Sequence, residues 1–354
     1  IASGSSTLTI NTASSCRSFD CTGFTGTLTH AGGINLQVSR NLKLVSGMTH
    51  NPATSAYFKM VGTTTGWQIT SAGKTISLWI GGVGGSWTLQ DTLSAATIFL
   101  DAGTFNTNDQ TVNTAEFTTV SSSTRVLTLG ASTFNLTSTG TVWNWIGSGG
   151  SITANTSTIN ITDGSSTAKT FAGGSLSNYN DLTITSGGSG VVQITGSNTF
   201  NTLAINGPKS VSFTAGTTQT IANLRWSGSV GNLITLRSLT SGTAWNIAVT
   251  TAVANYVDVK DSTASGAGTP IYNAGGINSG NNTGWSYPEA TTTSTSSSTS
   301  TSSTSSSSST SSTSTSSTSV STSSTSSSTS TTLPPDPTMQ PIVEMGGIKL
   351  PIAR

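Results

Sequence analysis

Short segments of alternating apolar and polar residues recur along the first 290 residues. Thr27-Leu28-Thr29-His30 follows Thr7-Leu8-Thr9-Ile10 by 20 residues, and Met48-Thr49-His50 follows after another 20. The tripeptide Thr-Phe-Asn starts at residues 104, 133 and 199. Alternation within a segment is typical of a half-buried strand, and a fixed spacing between strands is typical of stacked coils. The pattern predicts an all-β parallel β-helix, with tandem β-sandwiches as the alternative.

The scarcity of charge supports stacked coils. Asp, Glu, Lys and Arg make up 7% of the chain, against about 25% in ordinary soluble domains. Stacking brings equivalent positions of successive coils to within ~5 Å, where like charges repel and Asn, Thr and Ser side chains can bond in ladders. We therefore expect ladders of Asn and Thr along the coils.

The charge balance and hydropathy exclude several functions. There are 13 basic and 12 acidic residues, for a net charge of +1, so we expect no clustered basic face for nucleic acid. No apolar run approaches the ~18–20 residues of a membrane-spanning helix. The sequence also carries no motif for a cofactor, and we predict none.

Composition divides the chain into three parts. Residues 1–290 form the predicted β-solenoid body. Residues 291–332 are Ser or Thr apart from Val320, so we expect a disordered linker, either bare or O-glycosylated. Residues 333–354 are Pro-rich and end in a possible small hairpin or a frayed tail. The chain begins at Ile1, which leaves open a processed terminus or the start of a fragment.

Two pairs of residues are weak candidates for cross-links or metal binding. His30 and His50 are 20 residues apart, so their side chains are expected to stack on successive coils. Two imidazoles make at most a weak metal site, and turn or surface positions are the simpler interpretation. Cys16 and Cys21 form a disulfide only if a turn brings their Cα atoms together; a buried thiol at Cys21 is the alternative.

Tryptophans are the best candidates for ligand contact. Strand alternation places Trp143 and Trp145 on one face and Asn144 on the other. If the tryptophans point outward, they form a platform on which a sugar ring can stack, and if they point inward, they fill the core. Acidic residues are weaker candidates for a functional site. We expect the Asp258–Asp261 segment, for example, to be a solvated strand face that ends in a turn. No arrangement of Ser, His and acid is evident.

A resemblance to known proteins is carried by several stretches. They are residues 15–28 with Cys16 and Cys21, residues 44–48, residues 169–174 and 196–201, residues 213–220, 231–236 and 256–262, and residues 273–276 and 279–285, which end in Gly280-Asn281-Asn282-Thr283-Gly284-Trp285. This series resembles a poorly characterised family of repetitive β-rich proteins from tailed phages and environmental sequences. The resemblance covers most of residues 7–287 and implies a right-handed parallel β-helix that ends near residue 285.

These observations lead to an expected function. We expect a non-enzymatic structural or adhesion protein of fibre-like shape, located outside the cell or on a virion or cell surface. Its expected partners are surface polysaccharide or other structural subunits, and a homo-oligomer is expected by analogy with fibres. The alternatives are a self-assembling filament or surface-layer subunit, and a β-helical polysaccharide depolymerase, which needs converging carboxylates.

Overall fold

The structure is a computed structural model that describes residues 4–119, 121–174, 178–185 and 187–288. Contacts divide the chain into two units, residues 1–292 and 293–354, and every described residue lies in the first. The predicted Ser/Thr linker and the C-terminal segment with its possible hairpin therefore lie outside the described residues. Within the described ranges there are 33 strands and no helix, so none of these residues forms a helix able to cross a membrane.

The strands are short, and most have three to six residues. The first eleven are β1 (Thr7–Ile10), β2 (Ser14–Cys16), β3 (Phe19–Asp20), β4 (Thr27–His30), β5 (Asn35–Val38), β6 (Leu42–Lys43), β7 (Thr49–Pro52), β8 (Tyr57–Met60), β9 (Trp67–Thr70), β10 (Thr75–Ile80) and β11 (Ser86–Leu89). The next eleven are β12 (Leu93–Leu100), β13 (Gly103–Asn106), β14 (Val112–Thr119), β15 (Arg125–Thr128), β16 (Thr133–Leu136), β17 (Gly140–Trp145), β18 (Gly150–Thr153), β19 (Thr158–Ile161), β20 (Lys169–Ala172), β21 (Asn178–Ile184) and β22 (Val192–Thr195). The last eleven are β23 (Asn198–Asn206), β24 (Lys209–Phe213), β25 (Thr218–Ser227), β26 (Ile234–Ser238), β27 (Trp245–Asn255), β28 (Val257–Val259), β29 (Ser262–Ser265), β30 (Ile271–Ala274), β31 (Ile277–Asn278), β32 (Asn282–Thr283) and β33 (Trp285–Ser286).

Each strand pairs in parallel with the equivalent strand of the next coil. One sheet has the order β1-β4-β7, and a second has the order β3-β6-β9-β11-β13-β15-β18. The other strands continue the same stacking from β2 to β33, which gives a parallel β-solenoid of about 12 turns. The predicted fold class is confirmed. The tandem-sandwich alternative is wrong, because a sandwich is built from antiparallel strands.

The coils differ in length. Thr7 pairs with Thr27, which confirms the predicted first spacing of 20. Thr27 then pairs with Thr49, a step of 22, so the second predicted alignment is wrong by two residues. Further along, the step is 19 from Ile98 to Phe117 and 28 from Trp143 to Phe171. The extra residues lie in the turns, and the strands keep their stacking.

The interior is a continuous column of buried side chains. One inward ladder consists of buried residues from nine successive coils, each paired in register with the next: Leu36, Phe58, Leu78, Ile98, Phe117, Trp143, Phe171, Ile194 and Phe213. Burial of such side chains is worth about 1.5–3 kcal/mol each and is the main source of stability.

Outward positions carry the polar ladders that the sequence predicts. Asn135 donates its amide N–H to Asn113 at 2.8 Å, and Asn160 donates to Asn135 at 2.9 Å. These three residues stand at equivalent positions of consecutive coils. Asn135 thus both donates and accepts along the stack, which a charged side chain at this position could not do.

Three strands begin with a buried cation, a feature that the sequence analysis does not predict. Arg125 donates to five backbone carbonyls in the turns of its own coil and the next, those of residues 121, 123, 146, 147 and 148. Lys169 pairs with Asp163 at 2.7 Å and also donates to the Ser165 carbonyl. Lys209 donates to the carbonyl of Gly187 at 2.9 Å. Each cation thus donates hydrogen bonds to carbonyl groups in turns, where strand pairing supplies no donor.

Candidate functional site

Trp143 and Trp145 share a face, as predicted, but that face points inward. Their exposed fractions are 0% and 1%. Trp143 stacks between Phe117, at a centroid distance of 4.4 Å, and Phe171, at 5.7 Å. Asn144 lies on the outer face and donates to Thr118 Oγ1 at 3.2 Å. The proposed sugar platform at these tryptophans is therefore wrong, and the alternative core interpretation holds.

His30 and His50 do lie close together, with ring centroids 6.4 Å apart. Both rings also pack against Phe58, at 5.2 Å and 5.6 Å, so they belong to an aromatic cluster. His30 is fully buried, and burial together with the neighbouring His50 lowers its pKa to about 4. No group of three or more His, Cys, Asp and Glu residues in the described ranges is placed to hold a metal ion.

Cys16 and Cys21 are free thiols. Cys16 ends β2, whereas Cys21 follows β3, which belongs to a different sheet. The predicted disulfide is therefore absent from these two described residues, and the alternative of a buried thiol at Cys21 is confirmed. Burial raises the pKa of Cys21 to about 11, so the residue packs as a small apolar side chain.

The described acidic side chains serve mainly the turns of the solenoid. Asp109 accepts the backbone N–H of Ala131 at 2.6 Å. Asp261 accepts the side-chain amide of Asn281 and the backbone N–H of Gly242, and these bonds lower its pKa. Asp258, on the outer face as predicted, pairs with Arg237. These three carboxylates are therefore bonded to other residues of the solenoid.

A cluster of outward aromatic residues lies on the first half of the solenoid. Tyr57 on β8, Trp79 on β10 and Phe99 on β12 are each half-buried. The ring centroids are 5.3 Å apart for Trp79 and Phe99, 5.5 Å for Tyr57 and Phe99, and 6.0 Å for Tyr57 and Trp79. We call these three residues the aromatic platform. It is a semi-exposed apolar surface on three consecutive coils.

The platform is positioned by strand alternation and register. Leu78 and Ile80 flank Trp79, and Ile98 and Leu100 flank Phe99; all four aliphatic side chains are fully buried. Trp79 pairs directly with Phe99, so their rings must meet on the outside. Alternating direction along each strand makes the aromatic residues the outward ones.

Two charged groups frame Trp79. Lys59 pairs with Trp79 in register, and its Nζ lies 3.8 Å from the centroid of the indole. The indole N–H donates to Asp101 Oδ2 at 2.9 Å, which fixes the ring plane. Within the described ranges the Lys59 ammonium has this cation–π contact and no ion pair, so it is the more movable of the two charged groups.

A groove adjoins the platform at Tyr57. Its volume is about 380 Å³, and the residues that line it include Thr54, Ser55, Tyr57, Thr75, Ser77 and Thr97. Five of these six carry aliphatic hydroxyls, which both donate and accept hydrogen bonds. The surface therefore combines apolar ring faces with neighbouring hydroxyls, a combination that suits a ligand with alternating C–H and O–H groups.

The aromatic platform was not predicted from the sequence, although a local signal for it is present. Trp79 stands between two aliphatic residues of one predicted strand, whereas Trp143 stands next to Asn144. Because aliphatic neighbours point inward, the aromatic residue between them must point outward. The sequence does not show that Tyr57, Trp79 and Phe99 lie together, because the spacing between coils varies.

No protein-family model matches this chain, and no curated protein or solved structure does either. The class defined by the fold is the parallel β-solenoid. The resemblance to phage and environmental β-helical proteins stays a prediction, as does the right-handed sense that it implies.

Proposed function

We propose that this chain is a non-enzymatic structural and adhesion protein whose solenoid contacts surface polysaccharide through the aromatic platform. The observation that carries the proposal is the outward cluster of Tyr57, Trp79 and Phe99 on three consecutive coils. Apolar ring surface that stays in contact with water carries an unfavourable free energy. A ligand that covers the rings removes that surface from water, which favours binding.

The chemistry of the surface favours a saccharide. A sugar ring presents C–H groups on its face and hydroxyls at its edge. The faces can stack on aromatic rings, while the hydroxyls bond to the side chains of the groove beside Tyr57. The three ring centroids lie 5.3 to 6.0 Å from one another, so the rings form one compact apolar patch. The patch and the groove beside it can each contact part of a saccharide chain.

Two acids of the coils that carry the platform are bonded to the scaffold, which favours binding without hydrolysis. Glycoside hydrolysis needs two carboxyl groups that flank one bond. Asp101, the acid bonded to the platform, accepts the Trp79 indole N–H. Asp91 is occupied with the backbone of Ser71 and Ala72. We extend the proposal to an extracellular, virion-surface or cell-surface location and to assembly with like subunits or other structural subunits, in line with the fibre-like resemblance.

Binding of the full chain to immobilised polysaccharides tests the proposal. Trp79→Ala is expected to weaken binding by about ten-fold, since it removes the central ring. Tyr272→Ala is the matched control, because Tyr272 is 58% exposed on β30, far along the chain from the platform. Equal effects of the two substitutions, or binding by neither the wild type nor the variants, would contradict the proposal. Release of shortened chains from a bound polysaccharide would favour the depolymerase alternative.

A further inference from the structure

Positive charge is concentrated in the first coils. Residues 4–74 contain five basic residues, at positions 17, 40, 43, 59 and 74, and one acidic residue, Asp20, a balance of 5 − 1 = +4. The rest of the chain has 8 basic and 11 acidic residues, a balance of 8 − 11 = −3. Although the net charge of the whole chain is only +1, the first coils are therefore positively charged and the rest of the chain is negatively charged. The basic part is the one that carries Tyr57 and Lys59.

Two of these cations line a cleft. It has a volume of about 340 Å³, and its walls include Arg17, Ser39, Arg40, Val61, Thr63 and Trp67. The Arg40 guanidinium lies over the Trp67 indole, 5.0 Å from its centroid. We call this feature the basic cleft. It pairs a cation with an aromatic ring, as Lys59 and Trp79 do on the platform.

The basic cleft and the aromatic platform are connected through β8 and the turn that follows it. Lys59, Met60 and Val61 are consecutive, and Met60 is fully buried, so Lys59 and Val61 both face outward. The backbone N–H of Val61 bonds to the Val38 carbonyl at 3.0 Å, which continues the strand stacking past β8. A ligand that lies along this surface can therefore touch Trp79, Lys59 and the cleft in sequence.

The cations of this surface are not neutralised by the scaffold. The described part of the chain has two ion pairs, Lys169 with Asp163 and Arg237 with Asp258. Both pairs are far along the chain from the cleft. Arg17, Arg40 and Lys59 each form no ion pair there. Guanidinium groups bind carboxylates with two parallel hydrogen bonds, so two free arginines favour an anionic group as ligand.

We infer that the surface formed by the basic cleft and the platform binds an acidic polysaccharide, one that carries carboxylates on its sugar rings. This inference rests on the proposed function and names the class of glycan. Sugar rings stack on Trp79 and its neighbours, and ring carboxylates pair with Arg17 and Arg40. Lys59 leaves the indole face and takes a further carboxylate.

A polyuronate fits these observations better than a nucleic acid. Tight phosphate-backbone binding uses about 6–10 cationic contacts, whereas this surface offers three. Stacking rings and hydroxyls alternate with the cations, so apolar and hydrogen-bonding contacts supply much of the affinity. Binding to the polyuronate is then expected to weaken with added salt without being abolished by it.

The test measures binding of the full chain to polygalacturonate and to neutral dextran. We expect wild-type protein to prefer polygalacturonate at least ten-fold at low salt. The double substitution Arg17→Gln with Arg40→Gln is expected to weaken polygalacturonate binding by about ten-fold and to leave dextran binding unchanged. The matched control is Lys43→Gln with Lys74→Gln, which removes the same charge outside the cleft and is expected to change binding less than two-fold.

Each contrary outcome has a distinct meaning. Equal losses in the two double variants would show a response to net charge alone and would overturn the cleft as a site. No preference for polygalacturonate, with dextran binding still sensitive to Trp79→Ala, would overturn the acidic ligand and leave the proposed function standing. Tighter binding of an oligonucleotide than of polygalacturonate would also overturn the inference. Absence of binding to any polysaccharide would overturn the inference together with the proposed function.

Discussion

The guanidinium of Arg125 packs over the indole of Trp145 inside the solenoid, with Cζ 5.5 Å from the ring centroid. Both side chains are buried. Burial lowers the pKa of Arg125, and the charge of Asp101 opposes that effect. The cation is held by carbonyl dipoles and an aromatic face, without a salt bridge of its own among the described residues. Arg125 therefore stabilises two turns by donating to backbone carbonyls that lie outside the paired strands.

Replacing Arg125 is expected to destabilise the fold strongly. Arg125→Leu removes the donors of five carbonyls, and each buried carbonyl left unpaired costs about 1–3 kcal/mol unless water reaches it. We expect a loss of about 3 kcal/mol or more in the free energy of unfolding, measured by urea denaturation. Arg225→Leu, at an exposed position, is the control and is expected to change stability by less than about 0.5 kcal/mol. Equal effects would show that the carbonyl contacts of Arg125 add nothing.

Two tryptophans are expected to differ in the same assay. Trp143 is fully buried and donates its indole N–H to Tyr179 Oη at 3.0 Å, so Trp143→Ala leaves a large cavity and is expected to cost about 3–5 kcal/mol. Trp79 is half-buried, and Trp79→Ala is expected to cost about 1 kcal/mol. A larger loss for Trp79→Ala would mean that the platform is a structural cluster rather than a binding surface.

Much of the fold follows from local pattern. Alternation within short segments predicts the strands, and low charge with abundant Asn predicts ladders such as Asn113, Asn135 and Asn160. Both depend only on the chemistry of neighbours along a strand or at equivalent positions. The first register, Thr7 with Thr27, also follows from local likeness.

Longer-range relationships do not follow from pattern. The coil step varies from 14 to 29 residues, so spacing in the sequence does not say which side chains stack, and the platform at Tyr57, Trp79 and Phe99 is not evident from it. Alternation places Trp143 and Trp145 on one face but leaves the direction of that face to the packing of the whole coil. Buried cations such as Arg125 are unexpected, because their partners are backbone carbonyls that have no sequence signature.

The two cysteines are expected to behave as independent thiols. Burial raises the pKa of Cys21 to about 11 and also raises that of Cys16, so both react slowly with iodoacetamide at pH 8 in the folded protein. Cys16, which is only partly buried, is expected to react first. After denaturation without reductant both are expected to alkylate fully, as measured by mass spectrometry. A linked peptide containing Cys16 and Cys21 would contradict the structure.

Stability is expected to fall in mild acid because of His30. Burial, with a smaller contribution from His50, lowers the pKa of His30 to about 4 in the folded chain, against about 6.5 when unfolded. As the pH falls below 6.5, His30 binds a proton in the unfolded chain but stays neutral in the folded chain. The contribution of neutral His30 to the free energy of unfolding is therefore complete above pH 6.5 and is lost progressively down to about pH 4.

The shift corresponds to roughly 3 kcal/mol in the free energy of unfolding, measured by urea denaturation at several pH values. His30→Phe keeps the packing on Phe58 and removes the titrating group, so its stability is expected to depend less on pH in this window. Burial also lowers the pKa of His50, which leaves a smaller dependence of the same sign in that variant. The wild type and His30→Phe are compared at each pH, so that carboxylates common to both cancel. An identical pH dependence for the two proteins would show that His30 is not a buried neutral imidazole.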